Sequence, residues 1–211
     1  MKEILYRTIS SILMIIILFY AYLYDEFFLL LLFLISTFAI IEYCSLIFKI
    51  TKENLNKFIK ISLGSIYLII INYLIFLNIE DNKNLIFYFI IICIATDIGG
   101  LVAGKIFKGR KLTKISPKKT YSGFYGSFFF AYLAMFLSIN YLDIKAIIIL
   151  IITFSVCLLS QLGDLFFSYL KRKAKVKDTG NLLPGHGGIL DRVDGIIISV
   201  PINLFIYNIS I

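Results

Sequence analysis

Seven long stretches of almost unbroken apolar sequence constrain this chain more than any other feature. They run Thr8–Tyr24, Phe27–Phe48, Phe58–Leu77, Leu85–Gly104, Gly123–Ile139, Ile144–Leu170 and Ile189–Tyr207. A helix that crosses a bilayer needs roughly 20 mostly apolar residues, so seven of them use about 140 positions. The chain has 211 residues, which leaves short loops and no room for a soluble domain. Composition agrees: 60% of residues are hydrophobic and 16% charged, against about 45–50% and about 25% in soluble domains. Disordered chains are polar and charge-rich, so that class is excluded too. The expected fold is all-α, a polytopic membrane protein of about seven transmembrane helices. It reads as a single integral membrane domain, with N-terminal helices over 1–84 and a catalytic half over 85–211. Lys2 and Arg7 precede the first stretch as in a signal peptide. No small-residue cleavage site follows and a second apolar run begins at once, so a retained helix is expected.

Orientation follows from the bases, which concentrate on the cytoplasmic side of membrane proteins. With a cytoplasmic N-terminus, nineteen of the 21 Lys and Arg residues fall in inner segments, leaving only Lys83 and Lys145 outside. The outer loops instead hold Asp25, Glu26, Glu80, Asp81 and Asp143. The formal charge of +8 is therefore gathered on one face. Cys44, Cys93 and Cys157 lie far apart within apolar stretches, without metal-ligand spacing, and read as packing residues. No internal repeat of the kind many transporters carry is evident. Abundant Ile, Lys and Asn with no Trp suggest an AT-rich genome and a bacterial inner membrane.

Five acids interrupt the apolar stretches: Glu42, Asp97, Asp164, Asp191 and Asp194. Ionisable groups inside spanning helices are rare, costly and usually functional. Glu42 lies seven residues before Lys49, Asp97 eight before Lys105, and Asp164 seven before Lys171. Asp191 and Asp194 follow Ile189, where the last stretch begins. At 1.5 Å rise per residue, all five sit from a few to about 12 Å below the cytoplasmic edge. Asp191 and Asp194 are spaced i, i+3 and share one helix face, where two carboxylates repel unless a cation or proton lies between them. An oxygen-only donor set suits Mg²⁺, which is held by one or two carboxylates plus substrate phosphates. Asp164 could complete the set. The alternative is that these acids form interhelical ion pairs with Arg192, Lys105 or Lys171, and for Glu42 that reading stands at least level.

Two inner loops carry most of the bases. The first, Gly104–Gly123, contains Ser116-Pro117-Lys118-Lys119-Thr120; the second, Lys171–Gly188, ends in Gly185-His186-Gly187-Gly188. Attraction to anionic head groups accounts for the charge, but not for the serine–proline step or the glycine–histidine run. Glycine lets backbone N–H groups approach phosphate closely, and a helix N-terminus adds a favourable dipole. Polyphosphate, metal and membrane surface would meet there. His186, the one histidine, could donate to phosphate or move a proton.

The run Ser168…Lys171-Arg172…Lys177-Asp178-Thr179-Gly180…Leu183-Pro184-Gly185-His186-Gly187-Gly188-Ile189-Leu190-Asp191-Arg192-Val193-Asp194 resembles the C-terminal signature of phosphatidate cytidylyltransferases, the CDP-diacylglycerol synthases. Asp97–Gly126 resembles a second family segment. The resemblance implies a membrane enzyme, commonly a homodimer, that joins CTP to phosphatidate and releases pyrophosphate. It implies a metal cluster of Asp164, Asp191 and Asp194 holding Mg²⁺, with K⁺ in some members. Nucleotide and phosphate contacts would come from Asp97, from Ser116, Pro117, Lys118, Lys119 and Thr120, and from Lys177, Asp178, Gly187 and Gly188. Lys171, Arg172, His186 and Arg192 would complete the catalytic set. Family members often have Glu before the signature serine, where this chain has Phe167. The chain is also short, so N-terminal helices of longer relatives are expected to be missing.

The mechanism expected is in-line attack of a phosphatidate oxygen on the α-phosphorus of CTP, with charge neutralisation as the main task. No covalent nucleophile is required and no nucleic-acid partner is expected. The competing readings are a cytidylyltransferase for an ether-linked or polyprenyl lipid phosphate, or an ion or anion transporter. Acids confined to the inner third, and the missing repeat, argue against transport.

Overall fold

The computed structural model describes residues 2–142, 144–180, 182 and 187–210, and the side chains of 8–142, 144–180, 182 and 187–209. Asp143 and His186 lie outside the described residues. The elements are α1 (Lys2–Leu23), α2 (Asp25–Ile50), α3 (Asn54–Phe107), α4 (Tyr121–Ser138), a 3-10 turn (Ile139–Tyr141), α5 (Ala146–Lys173) and α6 (Leu190–Ser210). No β-strand occurs among the described residues. The all-α expectation is met.

Among the described residues, five helices are long and apolar enough to cross a membrane, namely α2, α3, Tyr121–Tyr141, α5 and Leu190–Ile209, while Thr8–Leu23 is a shorter apolar helix. The difference from seven stretches lies in that shorter first helix and in α3, whose 54 residues take in both Phe58–Leu77 and Leu85–Gly104. The polar link between them, Asn78–Asn84, holds neither Gly nor Pro, so nothing local stops the helix. Only Asn82 leaves helical geometry (φ −123°, ψ 26°). A straight helix of that length would measure about 81 Å, well over twice the roughly 30 Å hydrocarbon core. Large apolar side chains such as Phe33, Leu63, Phe129 and Phe205 stand exposed, a surface suited to lipid chains rather than water.

The chain forms two compact units. The first comprises Met1–Leu77 and Leu170–Val193, the second Asn78–Tyr169 and Asp194–Ile211, so each draws on both sides of residue 84. In the first unit, α1 and α2 are separated by one extended residue, Tyr24, whose ring stacks on Tyr20 at 6.3 Å. Asp25 and Glu26 open α2 and Lys49 closes it, each complementing the helix dipole. The Tyr43 hydroxyl donates to the Lys60 carbonyl at 3.0 Å. A Cβ at Gly64 would strike the Tyr43 ring, so this contact needs glycine.

The second unit has a core of Ile86, Phe89, Ile92, Ala131, Val156 and Leu204, all essentially inaccessible. Small residues let its helices approach closely, as is usual among membrane helices. A Cβ on Gly99 would lie 2.5 Å from the Gly126 carbonyl oxygen, and one on Gly163 would lie 2.7 Å from that of Asp194. The Gly163 contact brings the segments carrying Asp164 and Asp194 together. Cys93 and Cys157 are buried, with Cys93 Sγ 3.0 Å from Ser199 Oγ, in keeping with a packing role.

Candidate active site

In the first unit the site is built on the end of α5, the loop beyond it, the first turn of α6 and one residue of α2. Helix α5 ends in a Schellman motif: Val176 N–H donates to Lys171 O at 3.0 Å and Lys175 N–H to Arg172 O at 3.1 Å. Lys175 takes the left-handed position (φ 57°) where glycine is usual. The closing turn sets Lys171, Arg172 and Lys173 at the negative end of the helix dipole.

Lys171 Nζ then reaches Asp191 Oδ1 at 2.6 Å. The other oxygen, Oδ2, accepts from Thr179 N–H at 2.8 Å, Thr179 Oγ1 at 3.0 Å and Gly188 N–H at 3.0 Å. Glu42, 4% exposed, accepts from the Thr179 hydroxyl at 2.7 Å and Leu190 N–H at 2.9 Å through Oε2. Its Oε1 accepts from Ile189 N–H at 3.1 Å. Four of the donors are backbone N–H groups, those of Thr179, Gly188, Ile189 and Leu190. The Thr179 hydroxyl lies between the two acids.

Part of the glycine run is occupied from within the protein. The N–H groups at the start of α6, which would face phosphate, are committed to Glu42 and Asp191 instead. A Cβ on Gly180 or Gly188 would collide with the Glu42 carboxyl group. Glycine at these positions makes room for a carboxylate of the protein itself. Gly187 is needed for another reason, its φ of +83°, and a Cβ there would also lie 2.9 Å from Asp191 Oδ2. Asp191 does form the ion pair with Lys171 that stood as its alternative reading. Glu42 pairs with neutral donors.

The second unit carries the other candidate loop. It leaves α3 through two left-handed residues, Lys108 and Gly109. A short hairpin follows, in which Leu112 N–H donates to Lys119 O at 2.8 Å and Tyr121 N–H to Arg110 O at 3.1 Å. Its tip is the turn Ser116-Pro117-Lys118-Lys119, closed by Lys119 N–H on Ser116 O at 3.0 Å. Proline at the second position of such a turn presets its φ. Thr120 caps α4 by accepting from Gly123 N–H at 3.1 Å. The serine–proline step and the threonine thus shape the loop, and the shape aims Lys119 at Asp164, Nζ to Oδ2 2.5 Å. The Ser168 hydroxyl donates to Asp164 Oδ1 at 3.3 Å.

Asp194 is buried and accepts Gly195 N–H at 2.8 Å. Asp97 on α3, Lys118, Arg172, Lys177, Asp178 and Arg192 are exposed. Among the described residues, no three His, Cys, Asp or Glu side chains are arranged to hold a metal ion. The structure therefore brings together Lys171 with Asp191, and Lys119 with Asp164. Sequence reasoning missed Thr179 and Ser168 as partners of these acids, and it missed what Glu42 does. The available signals were a buried acid in an otherwise apolar run and a threonine inside the Lys177–Gly180 stretch.

Residues 6–210 match the model of the cytidylyltransferase family. A protein of Rickettsia felis named phosphatidate cytidylyltransferase is 43% identical over 146 residues, 64% of this chain and 64% of that protein. Proteins of the same name from Rickettsia conorii and Bacillus subtilis are 44% and 41% identical, over 66% and 69% of this chain and 64% and 56% of theirs. The matches thus span less than two thirds of the length of these relatives. With the match extending over nearly every residue, the chain belongs to the cytidylyltransferase family.

Proposed function

We propose that the protein transfers the cytidylyl group of CTP to phosphatidate, giving CDP-diacylglycerol and pyrophosphate at the cytoplasmic face of a bacterial inner membrane. The observation that carries this reading is the loop around Asp191. The described residues of the segment that resembles the phosphatidate cytidylyltransferase signature pair a basic helix end, at Lys171, with a carboxylate at a helix start, at Asp191. Seven spans, a cytoplasmic N-terminus and a homodimer complete the proposal, with the break at Asn82 marking where α3 divides into two of the spans.

Both reactants are anions, so the protein's task is to neutralise and align them. A phosphate oxygen of the lipid forms a bond to the α-phosphorus of CTP. The bond from that phosphorus to the bridging oxygen breaks, and its electron pair leaves with pyrophosphate. Lys171, Arg172, Lys177 and Arg192 hold phosphate oxygens, the arginines preferring two-point contact. The hairpin tip, Ser116 to Thr120, with Asp97 and Asp178, holds the nucleotide. Gly187 and Gly188 border the phosphates, and His186 donates to them or moves a proton.

Asp164, Asp191 and Asp194 are assigned to Mg²⁺, with K⁺ as a second cation. The donor chemistry fits: these groups offer only oxygen, and Asp164 and Asp191 each already take a cationic partner in Lys119 and Lys171. Two backbone N–H groups, with the Thr179 hydroxyl shared with Glu42, occupy Asp191 Oδ2, so Oδ1 is the oxygen it has to offer. When bound, the metal supplies charge neutralisation at the phosphates.

The test is incubation of the purified protein with labelled CTP, Mg²⁺ and, separately, phosphatidate, an ether-linked lipid phosphate and a polyprenyl phosphate. Label should pass to phosphatidate. Preferential labelling of another lipid would reassign the substrate, and label in none would overturn the reading.

A further inference from the structure

We infer that Glu42 is a positioning residue for the proposed transfer: a built-in anion at the start of α6 that fixes Asp191 by way of Thr179. The inference rests on the function proposed above for the loop around Asp191. It does not depend on Glu42 touching a substrate.

The start of an α-helix leaves N–H groups without helical partners, and these attract anions. Here Glu42 takes the N–H groups of Ile189 and Leu190. The same carboxylate accepts from the Thr179 hydroxyl, and Thr179 N–H and Oγ1 both reach Asp191 Oδ2. One side chain from α2 therefore ties the beginning of the signature loop to its end. A buried carboxylate is tolerated only where hydrogen bonds compensate its lost hydration, and Glu42 has three. Gly180 and Gly188 clear the space it occupies. So specific a fit is more than packing needs: an apolar residue at position 42 could fill the volume but would accept none of these three hydrogen bonds. The linkage also leaves Asp191 with its Oδ2 pinned and its Oδ1 directed at Lys171. Orientation of that second oxygen is what the arrangement fixes.

The test compares Glu42→Gln with Thr179→Val and Thr179→Ser in the full-length protein. Misplacing a site group by about 1 Å can cost on the order of a hundredfold in rate. Glu42→Gln and Thr179→Val should therefore lower kcat by about ten- to a hundredfold, with KM for CTP within about threefold of the parent. Thr179→Ser restores the hydroxyl and should recover most of the loss. Independently of turnover, Glu42→Gln should speed hydrogen exchange at Ile189 and Leu190 about five- to tenfold while the core of the second unit is unchanged.

A KM effect with kcat preserved would overturn the inference, because Glu42 would then serve binding. Loss of folded protein with unchanged turnover per folded molecule would also overturn it, leaving a purely structural acid. So would unchanged exchange at α6. If Glu42→Gln does not accumulate, the threonine pair alone decides, since valine keeps the shape and serine keeps the hydroxyl. If the parent protein transfers no cytidylyl group, the proposed function fails, while the exchange measurement still shows whether Glu42 holds the loop.

Discussion

Two lysine–aspartate pairs among the described residues, of nearly equal length, stand in very different settings. Lys171–Asp191, at 2.6 Å, has side chains 12% and 5% exposed, and Asp191 takes three further hydrogen bonds from Thr179 and Gly188. Lys119–Asp164, at 2.5 Å, has side chains 25% and 32% exposed, and its aspartate has one longer contact from Ser168. Water screens the second pair and leaves its partners free to exchange. The first pair belongs to a network in which each member holds the others. Distance alone would rank the two as equals. The number of donors around each carboxylate separates a firmly held pair from one that rearranges more easily.

The largest effect that would break this contrast is on stability. Asp191→Asn leaves the buried Lys171 ammonium without its counter-charge and should cost about 3–5 kcal/mol, measured by denaturant or thermal unfolding in detergent. Asp164→Asn should cost about 1 kcal/mol or less by the same measurement, yet abolish cytidylyl transfer. Equal destabilisation would mean that the two pairs do the same job. A next, intermediate effect is expected for Gly188→Ala, whose methyl group meets Thr179 and Glu42. Overpacking of this kind costs about 1–3 kcal/mol, readable as a fall in Tm with turnover reduced in parallel. Replacing Lys118 and Lys119 together by alanine should change stability by no more than about 1 kcal/mol while raising the CTP concentration needed for half-maximal rate. An unchanged CTP requirement would return that loop to generic surface charge. The smallest effect is expected at the α5 terminus, where Lys175→Gly relieves a left-handed lysine and should stabilise by about 0.5–1 kcal/mol.

Much of this was legible in the sequence. Apolar stretches of bilayer length dictate helices. Asp191 stood out as a charge that an apolar helix would not carry without reason. The meaning of Glu42 was not legible, because its partners lie 137, 147 and 148 residues away and two of them are backbone N–H groups. No residue type in the sequence marks a backbone donor. The glycines were visible, but glycine signals only that something comes close; whether a phosphate or a side chain fills the space depends on tertiary contact. The union of two apolar stretches in α3 was hidden for the opposite reason, since polar residues suggest a loop even where nothing prevents them from remaining helical.

The distance along the chain between Glu42 and Thr179 also has a consequence for biogenesis. During synthesis α2 must enter the bilayer long before the loop that satisfies its carboxylate leaves the ribosome. Until then Glu42 has none of its three donors, and a polar side chain inside an apolar helix is costly without them. Completion of α6 is therefore the moment at which an early-inserted helix gains the partners of its one buried acid, so late synthesis locks early topology. A nascent chain halted before Thr179 should hold α2 less firmly in the membrane than the finished protein does.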